Sequence, residues 1–444
     1  MAKKRKKKTD LGTIVFRAIA IELLVLTVVL IAIGAKFAPM VMSILDSGSS
    51  AIQTENPQTP DPAATSGAEI AQGPVETSAQ TEPTTEEPVV TTISYENEVE
   101  QGSVALVAAG DNLMYSSNTL SGKRDDGTYS YYDNFVNVKD YFLNADLAVL
   151  SQDTVMAGNH YGVTYNGVFT TGTEIGADMV SAGINVVLAA NNHILDCGTD
   201  GLNNMMNYWE STYPEVSLLG VNRSADQQNA PVYVEKNGIK IAMINYTCKS
   251  NSTQDLAAAP YLVNMYDEQW LTSVITAAEA SADFVIVFPH WGTENELGVT
   301  AEQEAQAQLM ADLGADLIIG AYPNVVEPVR WVEGKDGNKT LVYYSLGNFQ
   351  SAQEKTENML GALAQVTITK TDMRTYISDC DIEFLVTHYG QEKTNEYFDI
   401  VTTFPLDDYN DELAGQHGIY LWDATFSVAK LNSLKKDVLA NSDF

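Results

Sequence analysis

The chain has 444 residues, a formal net charge of −33 at pH 7 and three cysteines. Such acidity excludes nucleic acid as a general partner, because binding its phosphates requires clustered Lys and Arg. Cys197, Cys248 and Cys380 cannot all pair and show no metal or redox spacing, which excludes a disulfide framework.

The basic residues gather at the start. Residues 1–50 hold eight Lys/Arg and three Asp/Glu, a net of +5, which leaves −38 for the remainder. Lys3–Lys8 is an unbroken basic block, so residues 1–14 read as a cytoplasmic tail. Ala18 to Ala35 is then apolar apart from Glu22, and the run resumes past Lys36 as "FAPMVMSIL". With Lys36 snorkelling, residues 15–45 are long enough for a membrane span, which needs about 20 apolar residues. Basic flanks stay in the cytoplasm, so the pattern predicts a single-pass protein of the cell membrane, N-terminus inside and the rest outside. A small-x-small cleavage site is poorly formed and no cysteine follows the run, which argues against a removed signal peptide and against a lipid anchor. From Ser47 to Ser94 there is no Lys, Arg or aromatic residue. Residues 46–100 therefore cannot bury enough apolar surface to fold, and they predict a disordered tether. Its typical reach is roughly 40 Å, from ~5–6 Å × √n.

From about Gly102 one pattern repeats: apolar strand, polar turn, helix. "VALVAAGDN", "ADLAVLSQD", "INVVLAANNH", "ADFVIVFPHWG" and "ADLIIGAYPN" read as strands ending in polar turns. Helices are predicted over Glu174–Ala182, Asp200–Ser211, Glu268–Ala280 and Ala301–Leu313. Uniformly apolar strands alternating with helices imply an α/β fold whose sheet is covered on both faces. "KIAMINYT", "TLVYYSLGNF" and "LGALAQVTITK" look more antiparallel, making the core mixed. The domain is expected to run over 101–370, with 371–444 adding edge strands and a last helix as an extension packed on it.

In an open α/β sheet, ligands bind beyond the carboxyl ends of the strands. Asp111 with Asn112, Asp153, Asn192 with His193, and His290 with Glu294 all fall there. Carboxylate, amide and imidazole converging from separate strands make a ligand mixture suited to Mn, Fe, Zn or Mg. Each piece alone has a plainer reading. Asp111 and Asp153 could cap turns, and Asn192 and His193 could satisfy loop backbone. Asp196, Gly198 and Gly201 read as turn and N-cap chemistry ahead of a helix. His160, His388 and His417 sit in unpatterned contexts. What favours a site is that metal-compatible side chains recur at one topological position.

In order and spacing, "AAGDN", "ADLAVLSQD", "AANNHILDCGTDGL", "PHWGTE", "GADLIIGAYPN" and "YYSLGNF" resemble the CapA family, the poly-γ-glutamate capsule proteins. The resemblance covers about Val104 to Phe349. It implies a four-layer α/β/β/α sandwich similar to calcineurin-like metallophosphoesterases, in an anchored extracytoplasmic protein. Its implied partners are an anionic polymer such as poly-γ-glutamate and membrane-bound synthetase subunits. Carried over, it implies Asp111, Asp153, Asn192, His193 and His290 as metal ligands, and His193, His290 and Asn348 in catalysis. Trp291 and Glu294 would then contact substrate. Two departures stand out. A shorter acid, Asp153, follows the second strand, and "GAYPN" puts Ala321, Tyr322 and Asn324 where the family has histidines. Four or five ligands remain, enough for one divalent metal or none.

Two function classes follow. One is a binding or assembly component that holds an anionic polymer beside its synthetase, with Arg330, Lys123 and Arg124 as candidate cations. The other is a metal-dependent hydrolase or transferase acting on phosphoester or amide bonds.

Overall fold

From Gly102 onward the chain forms the alternation its pattern predicts. A computed structural model describes residues 98–162, 167–252, 254–390, 393–394, 397–398 and 400–443. The predicted basic tail, membrane span and nearly all of the tether fall on residues 1–97 and so lie outside the described residues. Among the described residues no helix is long and apolar enough to cross a membrane.

In chain order the first strands are β1 (Glu100–Asn112), β2 (Leu147–Ser151), β3 (Val186–Leu188), β4 (Ser217–Leu219), β5 (Val232–Lys236), β6 (Ile239–Thr247), β7 (Phe284–His290) and β8 (Leu317–Ile319). Then come β9 (Val329–Glu333), β10 (Lys339–Tyr343), β11 (Asn348–Gln350), β12 (Leu360–Thr371), β13 (Thr375–Tyr389), β14 (Lys393–Thr394), β15 (Tyr397–Phe398) and β16 (Val401–Pro405). The first sheet is ordered β16–β13–β12–β1–β2–β3–β4, with β11 pairing with the end of β1. The second is ordered β5–β6–β7–β8–β10–β9, and β14 pairs only with β15. Strands β1 to β4 run parallel, as do β6, β7, β8 and β10. Of the three segments read as antiparallel, β12 is so against both β1 and β13. The other two are corrected. β6 and β10 are parallel to their inner neighbours β7 and β8 and antiparallel only to the edge strands β5 and β9. Their apolar residues are buried on both faces, as inner parallel strands require. The β5–β6 hairpin has a local cause: Asn237 and Gly238 take φ of 50° and 78°, the positive values a two-residue Asn-Gly turn needs.

The helices that cover the sheets are α1 (Glu174–Ser181), α2 (Gly198–Thr212), α3 (Glu268–Glu279), α4 (Ala301–Asp312) and α5 (Val428–Ala440). The first four lie within two residues of their predicted bounds. Asp267 caps α3 by accepting from Trp270 N, and Thr300 with Gln303 forms a capping box on α4.

Burial gives the layers. Leu106, Val149 and Val186 of the first sheet share one core with Ile241, Ile286 and Leu317 of the second. Ala148, Leu150 and Val187, on the first sheet's other face, pack with Ile175 and Met179 of α1 and Leu202 and Met205 of α2. Val285, Val287 and Ile318, on the second sheet's other face, pack with Leu271 and Ile275 of α3 and Ala307 and Met310 of α4. The order is α/β/β/α. Each buried Leu, Ile or Val contributes about 1.5–3 kcal/mol, so three separate cores hold the layers in place.

The C-terminal residues are part of this frame. β13 pairs with β12 along nearly its whole length, β16 continues the first sheet, and Leu431 and Val438 of α5 join the inter-sheet core. The expected boundary after residue 370 falls at the last residue of β12, just before its turn into β13.

Candidate metal centre

The carboxyl ends of both sets of parallel strands meet at one end of the sandwich. Asp111 is the penultimate residue of β1, Asp153 lies two residues beyond β2, Asn192 lies four beyond β3, and His290 ends β7. All four are buried: Asp111 is 0 % exposed, His290 1 %, Asp153 3 % and Asn192 5 %. A close backbone approach makes this possible. Asp111 N donates to Gly347 O at 3.0 Å, and a Cβ on Gly110 would stand 1.9 Å from that oxygen. Only glycine fits there, which accounts for the Gly-Asp pair in "AAGDN".

Asp111, Asp153 and His290 can each offer one ligand atom so that all lie within 4.8 Å of one another. His290 Nδ1 is 3.7 Å from Asp111 Oδ1, and its Nε2 is 3.7 Å from Asp153 Oδ1. Asn192 Oδ1 lies 3.0 Å from His290 Nε2, and an amide oxygen can only accept, so that nitrogen carries the proton. His290 Nδ1 then presents a lone pair. Neither it nor Asp153 Oδ1 has a hydrogen-bond partner, although both are fully buried. Orphaned buried acceptors are costly, about 1–3 kcal/mol each. They belong to a trio whose ligand atoms cluster closely enough for one cation to satisfy them, so these residues fit a divalent metal.

Electrostatics agrees. Burial pushes the Asp111 carboxyl up to about 6, against hydrogen bonds from Ser151 and Tyr322. Burial, and then the charge of Asp111, raises Asp153 well above the usual carboxylate range. Burial and the charge of His193 pull His290 down to about 3, keeping its imidazole neutral as a ligand must be. A cation between these two buried carboxylates would favour their ionised forms.

His193 lies outside that trio. Its Nδ1 is 2.8 Å from Asp196 Oδ2 and 3.0 Å from Asn251 Nδ2, and its ring meets Phe169 edge-on at 4.5 Å. Burial lowers its pKa, but the Asp196 bond and the charges of Asp153, Asp196 and Glu294 outweigh burial and raise it. The turn-and-cap reading of Asp196 is corrected here. Helix α2 starts from Cys197 without a side-chain cap, and Asp196 instead holds His193 while accepting from Phe169 N at 2.6 Å.

The remaining expected residues are placed as follows. Asn348 is fully buried beside Asp111, its Nδ2 donating to Gln353 Oε1 at 2.7 Å and within reach of Ser351 Oγ and the Asn324 and Asn358 carbonyls. It ties two turns together and reaches the trio through no hydrogen bond. Trp291, expected at substrate, is corrected. Alternation turns it away from His290 into the helix-covered core, 0 % exposed, with Nε1 donating to Tyr344 O at 2.8 Å. Glu294 is exposed, and its charge acts on Asp153, His193 and Tyr322 from the rim. Arg124 and Arg330 pair with Asp133 and Glu304, away from the centre. The three cysteines are free thiols.

The turn that lacks histidines holds an unusual backbone. Tyr322 has φ +98° and Asn324 φ +62°, and such values in a bulky residue are strained. Tyr322 N donates to Asp111 Oδ2 at 2.9 Å, and its ring lies 5.1 Å from that of His290. Ser151 Oγ donates to Asp111 Oδ1 at 2.6 Å. Sequence reading missed Ser151, although it ends β2 and so stands at the strand-end position that marked the other site residues. It also missed Asn251, and the Tyr322 amide, a main-chain atom no motif reveals.

The family model described as "Bacterial capsule synthesis protein PGA_cap" matches residues 105–353. "PGA biosynthesis protein CapA" of Bacillus subtilis (strain 168) is 31% identical over 194 residues, 42% of this chain and 47% of that protein. "Capsule biosynthesis protein CapA" of Bacillus anthracis is 29% identical over 191 residues, 41% of this chain and 44% of that one. The chain thus spans about half the length of the curated relatives it matches. Among solved structures, a novel phosphatase from Mycoplasma pneumoniae is 13% identical, covering 64% of this chain and 94% of that one at a TM-score of 0.41. The calcineurin-like phosphoesterase YfkN of Bacillus subtilis is 14% identical, covering 64% and 90% at a TM-score of 0.39.

Proposed function

The chain belongs to the bacterial capsule synthesis PGA_cap family, and on that premise we propose that it helps make, export or tether poly-γ-glutamate or a related anionic polymer. It works outside the cell membrane, beside membrane-bound synthetase subunits. The observation that carries this reading is the family match itself, which spans Asp111, Asp153, Asn192, His193, His290 and Asn348. The basic block, apolar run and polar tether of residues 1–100 support the placement.

The centre holds one divalent ion, Mn, Fe, Zn or Mg, rather than two. Asp111, Asp153 and His290 would hold it, with Asn192 orienting the imidazole. The turn beyond β8 supplies an alanine, a tyrosine and an asparagine, poor ligands for a borderline metal. A bound ion would polarise a carboxylate or phosphoryl oxygen and offset its charge. Without a cation the site repels a polyanion, since Asp111, Asp196 and Glu294 all act on Asp153. Polymer binding should therefore depend on metal.

A second reading, a metal-dependent hydrolase or transferase on phosphoester or amide bonds, is favoured by His193. Asp196 fixes its ring and raises its pKa, leaving Nε2 as an atom that can hold or give a proton beside the centre.

Retention of poly-γ-glutamate by the full-length protein, with and without Mn, Zn or Mg, tests the first reading. Metal-dependent retention that disappears in Asp153→Asn and His290→Ala supports it. No retention under any condition, together with no association with synthetase subunits, overturns it. Cleavage of polymer or phosphoester that His193→Ala abolishes while retention persists would select the second.

A further inference from the structure

The far end of the sandwich opens where its core should close. On the edge strand β9, Val329, Trp331 and Glu333 share the face turned to the first sheet, opposite Tyr343, Leu341 and Lys339 of β10. Val329, Leu341 and Tyr343 are buried in the inter-sheet core, but Trp331 remains 37 % exposed. It borders a cleft of about 430 Å³ between the amino ends of the parallel strands of the second sheet and the start of β13. Phe284 and Ile377 form its apolar floor, one from each sheet.

The polar lining mixes donors and acceptors. Lys339 has no side-chain partner among the described residues, and neither does the indole N–H of Trp331. Asn338 borders the cleft but turns its side chain to the helix-covered face, where Nδ2 donates to Ala311 O at 2.9 Å. Thr375 adds a hydroxyl. Arg374 is fixed at the edge, stacked 4.1 Å over Tyr376 with Nε 3.0 Å from Glu98 Oε1. Glu98, Asp316 and Glu333 outnumber Lys339 and Arg374, so a polyanion would meet more carboxylates than cations. A neutral polyol meets neither penalty. Inward charges are an ordinary protection for an edge strand, which accounts for Glu333 and Lys339 but not for an accessible tryptophan beside them.

We propose that this cleft is a saccharide-binding site, separate from the strand-end centre. A pyranose ring lies with its C–H face on the negative face of the Trp331 indole. Its hydroxyls reach the Lys339 ammonium, a donor, and the Thr375 hydroxyl, both donor and acceptor.

Titration of the full-length protein with chitotetraose and with cellotetraose, read by calorimetry and tryptophan fluorescence, tests the assignment. At least one sugar should bind saturably and perturb the indole emission. Trp331→Ala and, separately, Thr375→Val should each weaken binding by about tenfold or more. His290→Ala should leave it unchanged. Should Trp331→Ala fail to fold, Lys339→Ala and Thr375→Val carry the same test. Absence of saturable binding of either sugar overturns the proposal, as does binding that the cleft variants leave intact. If instead poly-γ-glutamate, and neither sugar, engages Trp331, the cleft serves an acidic polymer and the proposal fails. None of these outcomes depends on whether the strand-end centre binds polymer.

Discussion

His290 and His417 are both almost completely buried, at 1 % and 0 % exposed, and burial pulls each down to about 3. By those two measures they are the same residue. Their hydrogen bonds separate them. His417 directs Nε2 to Thr387 O at 2.9 Å and accepts from Ile419 N at 3.0 Å through Nδ1. It packs against His388, Tyr389 and Phe426, and His388 Nδ1 lies 2.7 Å from the Tyr409 hydroxyl. His290 instead has an orphaned Nδ1 facing a carboxylate, with an orphaned Asp153 oxygen nearby. A depressed pKa marks burial; an unmatched lone pair among acids marks a place for a ligand.

Truncating the two histidines in turn sharpens the contrast most. His290→Ala should lower divalent-metal affinity by about 100-fold or more, given that loss of even an outer partner costs ~10–100-fold. Metal analysis after dialysis reads it directly. Excess divalent ion should also raise the wild type's unfolding free energy, by about 2.7 kcal/mol at a hundred times Kd, and leave His290→Ala unmoved. His417→Ala should leave metal content unchanged but cost about 2–5 kcal/mol, since it empties a packed aromatic site and strands the Thr387 carbonyl. Equilibrium denaturation measures that cost. If a folded His417→Ala protein also lost its metal, the distinction would collapse.

A smaller effect lies in acid. His388 is held down to about 4 and His417 to about 3, both below the 6.5 of an unfolded chain. As pH falls through 6.5, the unfolded state therefore takes up protons that the native state refuses. Stability should drop between pH 6.5 and about 4, and less steeply in His388→Phe. Denaturation midpoints at several pH values would show it; equal slopes in the two proteins would mean that His388 is not the neutral buried group described.

How much of this was legible beforehand follows from what each signal depends on. Helices α1 to α4 were visible because each fills the stretch between two apolar strands in a repeating strand–turn–helix pattern. Asp111, Asp153, Asn192 and His290 were visible because strand ends concentrate chemistry and the motifs repeat. Trp291 was misread although the evidence was local: neighbours on a strand face opposite ways, so a His turned to the site turns the next residue into the core. The edge strands and last helix expected after residue 370 are β13, β16 and α5, whereas the antiparallel pairing of β12 with β1 was beyond reach, since it joins segments hundreds of residues apart. Asp196 was assigned to a turn because three-residue spacing in a loop does not say which way a carboxylate points.

That carboxylate supplies the finest test of the comparison. If His193 is a proton-holding neighbour and not a ligand, Asp196→Asn should change metal affinity by less than about tenfold, the low end of outer-partner effects. The substitution removes the largest influence raising the His193 pKa, so its titration should move down toward the ordinary histidine range. Proton NMR of the imidazole in the metal-loaded protein follows that shift, and metal analysis of the same sample gives occupancy. Retained metal with a lowered pKa separates His193 from His290 in role as well as in place. Metal lost with the carboxylate would put His193 among the ligands, and the centre would then be larger than the trio of Asp111, Asp153 and His290.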